Sequence, residues 1–184
     1  MYINELETIF ELGKYFLKNN EYDLAIRIFT RVVELDPKHV DAYDARGKAY
    51  GCTGKFDEAV IDFKVALEID SRAGTYNNLG LTYYWKGCNE EAINNYTEAI
   101  KLYPDNKLFY FNRALALYAI GEYECAISDY DVALELSGDD AVIYNNRGEA
   151  FASLGNYKKA IADFNKALNI NPCDAIAYGN TVIR

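Results

Sequence analysis

Apolar residues recur along this chain in a pattern that repeats about every 34 residues. Within each period, two apolar-periodic segments of about 13–15 residues stand on either side of a break at Asn20, Gly54, Gly87, Gly121 or Gly155. That periodicity predicts two amphipathic helices per period. Glycine accepts the left-handed conformation that ends a helix tightly. Pro37, Pro104 and Pro172 follow the second segment, where proline stops a helix without breaking it.

The period is read from residue columns. Tyr76-Asn77-Asn78-Leu79-Gly80 and Tyr144-Asn145-Asn146-Arg147-Gly148 stand 68 residues apart, with Tyr110-Phe111-Asn112-Arg113-Ala114 midway between them. Tyr43-Asp44-Ala45-Arg46-Gly47 lies 33 residues before the first, and Ile9-Phe10-Glu11-Leu12-Gly13 a further 34 upstream. Ala25, Ala59, Ala92, Ala126 and Ala160 share one register, and Phe29, Phe63, Tyr96, Tyr130 and Phe164 another. A third column holds Val32, Ala66, Ala99, Ala133 and Ala167. One helix pair cannot bury its apolar faces alone, so the repeats are expected to stack.

A polar column runs through the same frame. Arg46, Arg113 and Arg147 are followed sixteen residues later by Asp62, Asp129 and Asp163. Where the first position is Leu12 or Leu79, the second is Ile28 or Asn95. Arg and Asp occur together or not at all. This predicts structural ion pairs between the two helices of repeats two, four and five.

The columns resemble the tetratricopeptide repeat, whose signature is an aromatic, Leu-Gly, an aromatic, then Ala, Phe, Ala and Pro. The third repeat matches it with Tyr76, Leu79, Gly80, Tyr83, Ala92, Tyr96, Ala99 and Pro104. Departures are Tyr for the first Trp (Ile9 in repeat one), Arg for Leu in three repeats, and Ser71 and Gly138 for Pro. The resemblance implies an all-α fold, a right-handed superhelical solenoid of antiparallel helix pairs. It implies a single domain over 1–184, with repeats near 6–39, 40–72, 73–106, 107–140 and 141–174, and a partial sixth at 175–184.

The resemblance also implies that the first helix of each pair lines a concave groove that binds a protein or peptide. On that face stand Asn78, Asn112, Asn146 and Asn180, at successive steps of 34. An Asn amide offers a donor and an acceptor that match a peptide bond, and such a column resembles the asparagine ladders that grip extended peptides. Beside it fall Leu81, Trp85, Leu108, Phe111 and Leu115, with Tyr84, Tyr118 and Val142. Tyr84 and Tyr118 also fit packing between repeats. Repeats one and two carry Lys14, Lys18, Asp41, Asp44 and Lys48 in comparable columns, so the groove is expected to be polar at one end. Some members of the family hold the C-terminal carboxylate of chaperones with Lys, Asn, Asn, Lys and Arg. The matching columns here are Asn77, Leu81, Asn112, Val142 and Asn146, or Phe10, Lys14, Ala45, Gly74 and Asn78. Neither set supplies the cations, which disfavours that mechanism.

Composition narrows the partners. The net charge is −9, and an acidic chain repels phosphate backbones and anionic lipid headgroups, so neither nucleic acid nor membrane is expected. No apolar run is long enough to span a bilayer, and the N-terminus carries no signal-peptide pattern. Cys52, Cys88, Cys125 and Cys173 form no C-x-x-C pair or metal-ligand spacing, which points to free thiols in the cytoplasm. The sole histidine, His39, reads as a surface turn residue without a nucleophile partner. No catalytic residue, metal or cofactor is expected. Two alternatives stay open. Ile176, Tyr178, Val182 and Ile183 in the partial sixth repeat could support self-assembly, or the chain could be an accessory domain of a larger protein.

Overall fold

The computed structural model describes residues 2–172, with side chains from residue 5. Over those residues the chain forms ten α-helices and no strand. In order they are α1 (Tyr2–Lys18), α2 (Tyr22–Leu35), α3 (Val40–Cys52), α4 (Phe56–Ile69), α5 (Ala73–Trp85), α6 (Asn89–Leu102), α7 (Lys107–Ala119), α8 (Tyr123–Ser137), α9 (Ala141–Ser153) and α10 (Tyr157–Ile170). The helices group into two compact units, one up to Leu102 and one from Tyr103 on.

In the first unit α1 packs on α2, α3 on α4 and α5 on α6, while α2 meets α3 and α4 meets α5. In the second unit α7 packs on α8, α8 on α9, and α9 on α10. First helices of neighbouring pairs also touch: α1 with α3, α3 with α5, and α7 with α9. These three contacts create the faces on which the candidate site lies.

The conserved columns within the chain explain the pairing. Phe29, Phe63, Tyr96, Tyr130 and Phe164 are all buried in the second helices. In four pairs each such ring lies on a glycine of the first helix. A Cβ at Gly80 would come within 2.7 Å of the Tyr96 ring, and one at Gly148 within 2.5 Å of Phe164. The fourth pair carries Ala114 in that column, fully buried with Tyr130. The Ala25, Ala59, Ala92, Ala126 and Ala160 column is buried too. Small residues set the close approach of the helices, and each buried ring contributes about 1.5–3 kcal/mol of hydrophobic stabilisation.

The turn between the paired helices runs through a left-handed residue. Asn20 has φ 61°, and Gly54 has φ 75°. Between pairs, the second helix stops at Leu35, Leu102 and Ile170, two residues before Pro37, Pro104 and Pro172. His39 departs from its reading as a surface turn residue. It is half-buried, its Nδ1 accepts a hydrogen bond from Ala42 N at 3.2 Å, and so it caps α3. Its ring centroid lies 4.6 Å from that of Phe10. Burial against Phe10 and the unsatisfied N–H groups of the helix end explain why it is drawn in.

Candidate functional site

Beneath each face lies an arginine. Arg46 Nε and Nη2 donate to Asp62 Oδ2 and Oδ1, both at 2.7 Å. Arg113 makes the same fork to Asp129 at 2.7 and 2.8 Å. Arg147 makes it to Asp163, with both bonds at 2.7 Å. Two arms also reach backward, to the second helix of the preceding pair. Arg46 Nη1 donates to Thr30 Oγ1 at 3.1 Å, and Arg147 Nη1 to Asp131 Oδ1 at 2.5 Å. Thr30 and Asp131 were not among the expected partners, although they stand sixteen residues before their arginines, mirroring the forward spacing.

Aromatic rings hold the guanidinium in place. Arg46 lies 5.5 Å from the Tyr43 ring centroid and 6.0 Å from that of Tyr50. Arg147 lies 5.4 Å from Tyr144 and 5.8 Å from Phe151, and Arg113 5.8 Å from Tyr110. Burial alone would lower the pKa of Arg147, but hydrogen bonds and charge interactions with Asp163 and Asp131 hold it above the ordinary value. Arg46 is also raised, because Asp62 outweighs the burial. With its charge paired and its donors engaged, each arginine acts as a brace between helices.

In the first unit, α3 and α5 border a cleft of about 230 Å³. Gly47, Lys48, Gly51 and Cys52 form one wall, and Asn78, Leu81, Thr82 and Trp85 the other. Phe56 and Phe63 of α4 contribute further lining. Trp85 is 65% exposed and Leu81 36%. The polar groups at the rim are engaged with one another. Asn78 Nδ2 donates to Asp44 Oδ1 at 3.2 Å, and Lys48 Nζ pairs with Asp44 Oδ2 at 2.5 Å. Elsewhere on the α1 and α3 faces, Lys14 pairs with Glu11 at 2.6 Å and Asp41 with Arg72 at 2.5 Å.

In the second unit, α7 and α9 border a smaller cleft of about 140 Å³, lined by Lys107, Leu108, Phe111, Asp140, Val142 and Ile143. Leu108 and Val142 are exposed. Phe111 is half-buried, with its ring 6.0 Å from buried Tyr130, so it belongs partly to the core. Asp140 caps α9 by accepting from Val142 N at 3.0 Å, and pairs with Lys107 Nζ at 3.1 Å. Burial would raise the pKa of Asp140, yet Lys107 and the N–H groups of Ile143 and Val142 bring it below its usual value. Leu115 and Asn112 are half-buried on α7.

The asparagine column is partly committed within the chain. Asn146 Nδ2 donates to the Val142 carbonyl one turn back, at 2.7 Å, and Asn78 is engaged with Asp44. In each of these two amides the second N–H and the carbonyl oxygen take no part in that bond. Asn180 lies outside the described residues, as do Ile176, Tyr178, Val182 and Ile183. Among the described residues, no group of three or more His, Cys, Asp or Glu side chains is placed to hold a metal ion. Cys52, Cys88 and Cys125 are free thiols. No described helix is long and apolar enough to cross a membrane.

Family models of the tetratricopeptide repeat match residues 10–74, 80–121, 115–155 and 141–172. The chain is similar to small glutamine-rich tetratricopeptide repeat-containing protein 2 of Saccharomyces cerevisiae, 37% identical over 95 residues that cover 51% of this chain and 28% of that protein. It is similar to heat shock protein STI1 of the same yeast, 36% identical over 90 residues that cover 47% of this chain and 15% of that protein. The chain spans about a quarter of the length of the curated relatives it matches first. Among solved structures it is similar to MamA, with TM-score 0.83 and 26% identity over 94% of this chain and 95% of that one. It also shares its fold with YrrB, with TM-score 0.80 and 22% identity over 93% of this chain and 89% of that one. With ten helices in consecutive pairs among the described residues, and family matches that begin at residue 10 and end at residue 172, the chain belongs to the tetratricopeptide repeat family.

Proposed function

We propose that this chain is a non-catalytic scaffold that binds an extended segment of a partner protein on the faces formed by its first helices. The observation that carries this reading is the exposure of large apolar side chains beside amide groups on those faces. Leu81 and Trp85 on α5 stand by Asn78, and Leu108 on α7 and Val142 on α9 stand by Asn112 and Asn146. Apolar groups left on the surface in this way mark interaction sites. An Asn side chain next to them matches the backbone of an extended segment.

The relatives support protein binding as the general role. Heat shock protein STI1 and Hsp70-Hsp90 organizing protein 3 carry chaperones in their names, and YrrB is described as having an unusual peptide-binding site. The chemistry of this chain differs from a clamp for an acidic tail. The columns that would supply the cations hold Asn77, Val142 and Asn146, none of them charged. Binding here rests on apolar contact and amide hydrogen bonds. The free thiols fit a reducing compartment such as the cytoplasm.

The test is selection of ligands from a random-peptide display library by the whole chain. Wild-type protein enriches a set of peptides, while the variant carrying Asn78→Ala, Asn112→Ala, Asn146→Ala and Trp85→Ala keeps its helicity and loses the set. Equal enrichment by both proteins rejects the reading.

A further inference from the structure

The cleft between α3 and α5 opens over Gly51. Gly51 occupies a column that holds Leu17 in α1, Tyr84 in α5, Tyr118 in α7 and Ala152 in α9. Its neighbour Gly47 is required by packing, since a Cβ there would meet the Phe63 ring at 2.9 Å. Gly51 is required by nothing in the fold. It lies inside a helix, its φ is not positive, and a Cβ built on it meets no atom within 4 Å. A glycine in that setting weakens the helix relative to alanine.

The second unit shows what fits in the same place. Tyr118 stands there on α7. Its ring centroid lies 5.3 Å from that of Tyr123, and its hydroxyl lies 3.4 Å from Ser153 Oγ on α9. The chain's own tyrosine thus fills the space between the start of the second helix and the next first helix. By column, Tyr123 corresponds to Phe56 and Ser153 to Trp85, and both of these line the cleft of the first unit. The two faces have corresponding walls, with a tyrosine between them in one and open space in the other.

We infer that the α3–α5 cleft receives an aromatic side chain from the bound partner segment, in the place that Tyr118 fills from within in the second unit. This rests on the peptide-binding reading and names its specificity. The walls suit a ring, with the half-buried Phe56 and the exposed Trp85 at the surface for edge or offset contact and the buried Phe63 beneath them. The nearby charges are paired with one another, Lys48 with Asp44 and Lys86 with Asp57, so the cleft makes no demand for a charged group. At longer range the chain's net charge of −9 complements a segment with Lys or Arg flanking the aromatic residue.

Trp85 is the only tryptophan, so its indole N–H gives a single reporter signal at the cleft. Peptides enriched by display are titrated into wild-type protein, Gly51→Tyr and Gly51→Ala while that signal is followed by NMR. In parallel, p-cresol is titrated as the bare tyrosine side chain. The expected result is that enriched peptides carry an aromatic residue whose replacement by Ala weakens binding roughly tenfold or more. Gly51→Tyr abolishes the Trp85 response to peptide and p-cresol with helicity retained, and Gly51→Ala, which leaves the fold intact, weakens both. Enriched peptides that bind Gly51→Tyr as well as wild type, or that tolerate loss of their aromatic residues, overturn the inference and leave the peptide-binding reading standing. Saturable p-cresol binding lost in Gly51→Tyr, with no peptide enriched, supports the ring site and rejects the peptide reading.

Discussion

The α3–α5 face of the first unit and the α7–α9 face of the second are built on the same columns, yet they present different surfaces. Both rest on an Arg–Asp fork and a buried aromatic ring. Above that base, the first face opens a cleft at Gly51 and leaves Trp85 exposed, while the second closes the same position with Tyr118. The second face opens elsewhere, nearer the helix starts, where Leu108, Phe111 and Val142 line a smaller cleft beside the Lys107–Asp140 pair. The difference teaches that the repeat constrains the layer between helices far more than the layer above it. A change below must keep a ring against a glycine or an Arg against an Asp. A change above alters only what the surface can receive.

The largest expected effect tests whether the base is equivalent in the two units. Asp62→Ala leaves the half-buried Arg46 guanidinium with Thr30 as its remaining hydrogen-bond partner, and should cost about 2–4 kcal/mol. Asp163→Ala should cost less, because Asp131 still pairs with Arg147. Chemical denaturation of both variants measures the difference, and equal losses would show that the backward arms are energetically idle. The double change Arg46→Leu with Asp62→Ile reproduces the Leu12 and Ile28 combination of the first pair and should cost less than Asp62→Ala alone.

A second test exchanges the surface layers. Tyr118→Gly should cost roughly 2–3 kcal/mol through lost ring packing and helix propensity. It should also open in the second unit a cleft like that of the first. Gly51→Ala should do the reverse, raising stability by about 0.5–1 kcal/mol because the new methyl meets no neighbour. Thermal melting reads both. A destabilising Gly51→Ala would mean that the glycine serves the fold after all.

The smallest effect separates the second unit by pH. The folded-state pKa of Asp140 lies below its unfolded value. Its contribution is therefore present above the ordinary carboxylate pKa of about 3.9 and is lost as pH falls through the folded value. Asp140→Asn keeps a capping side chain and removes the charge, so it should cost about 0.3–1 kcal/mol at neutral pH. Melting curves of the two proteins should converge on acidification, and a gap that persists in acid would assign the effect to the cap geometry.

Much of the base layer is legible in the sequence. Ala, Gly and aromatic columns recur at one spacing because each pair must solve the same packing problem. Arg and Asp could be matched because they come and go together, and the structure joins each pair with two hydrogen bonds. The surface layer was legible only as a set of positions. The sequence placed Asn78 and Asn146 in one column, but their local bonds differ, to Asp44 across helices and to the Val142 carbonyl within one. The capping role of His39 was hidden because it depends on where α3 begins and on the nearby Phe10 ring.

The sequence by itself determined the family, the helix pairs and the residues that hold them, since periodic burial leaves a periodic trace. Only the tertiary structure decided which exposed residues surround a cleft and which are absorbed by neighbours. It grouped the helices into two compact units, and it turned a glycine and a tyrosine of one column into an open site and a closed one. The physical reason is that space between helices is shared. Whether a position is open depends on side chains from three helices at once, and no single stretch of sequence carries that sum.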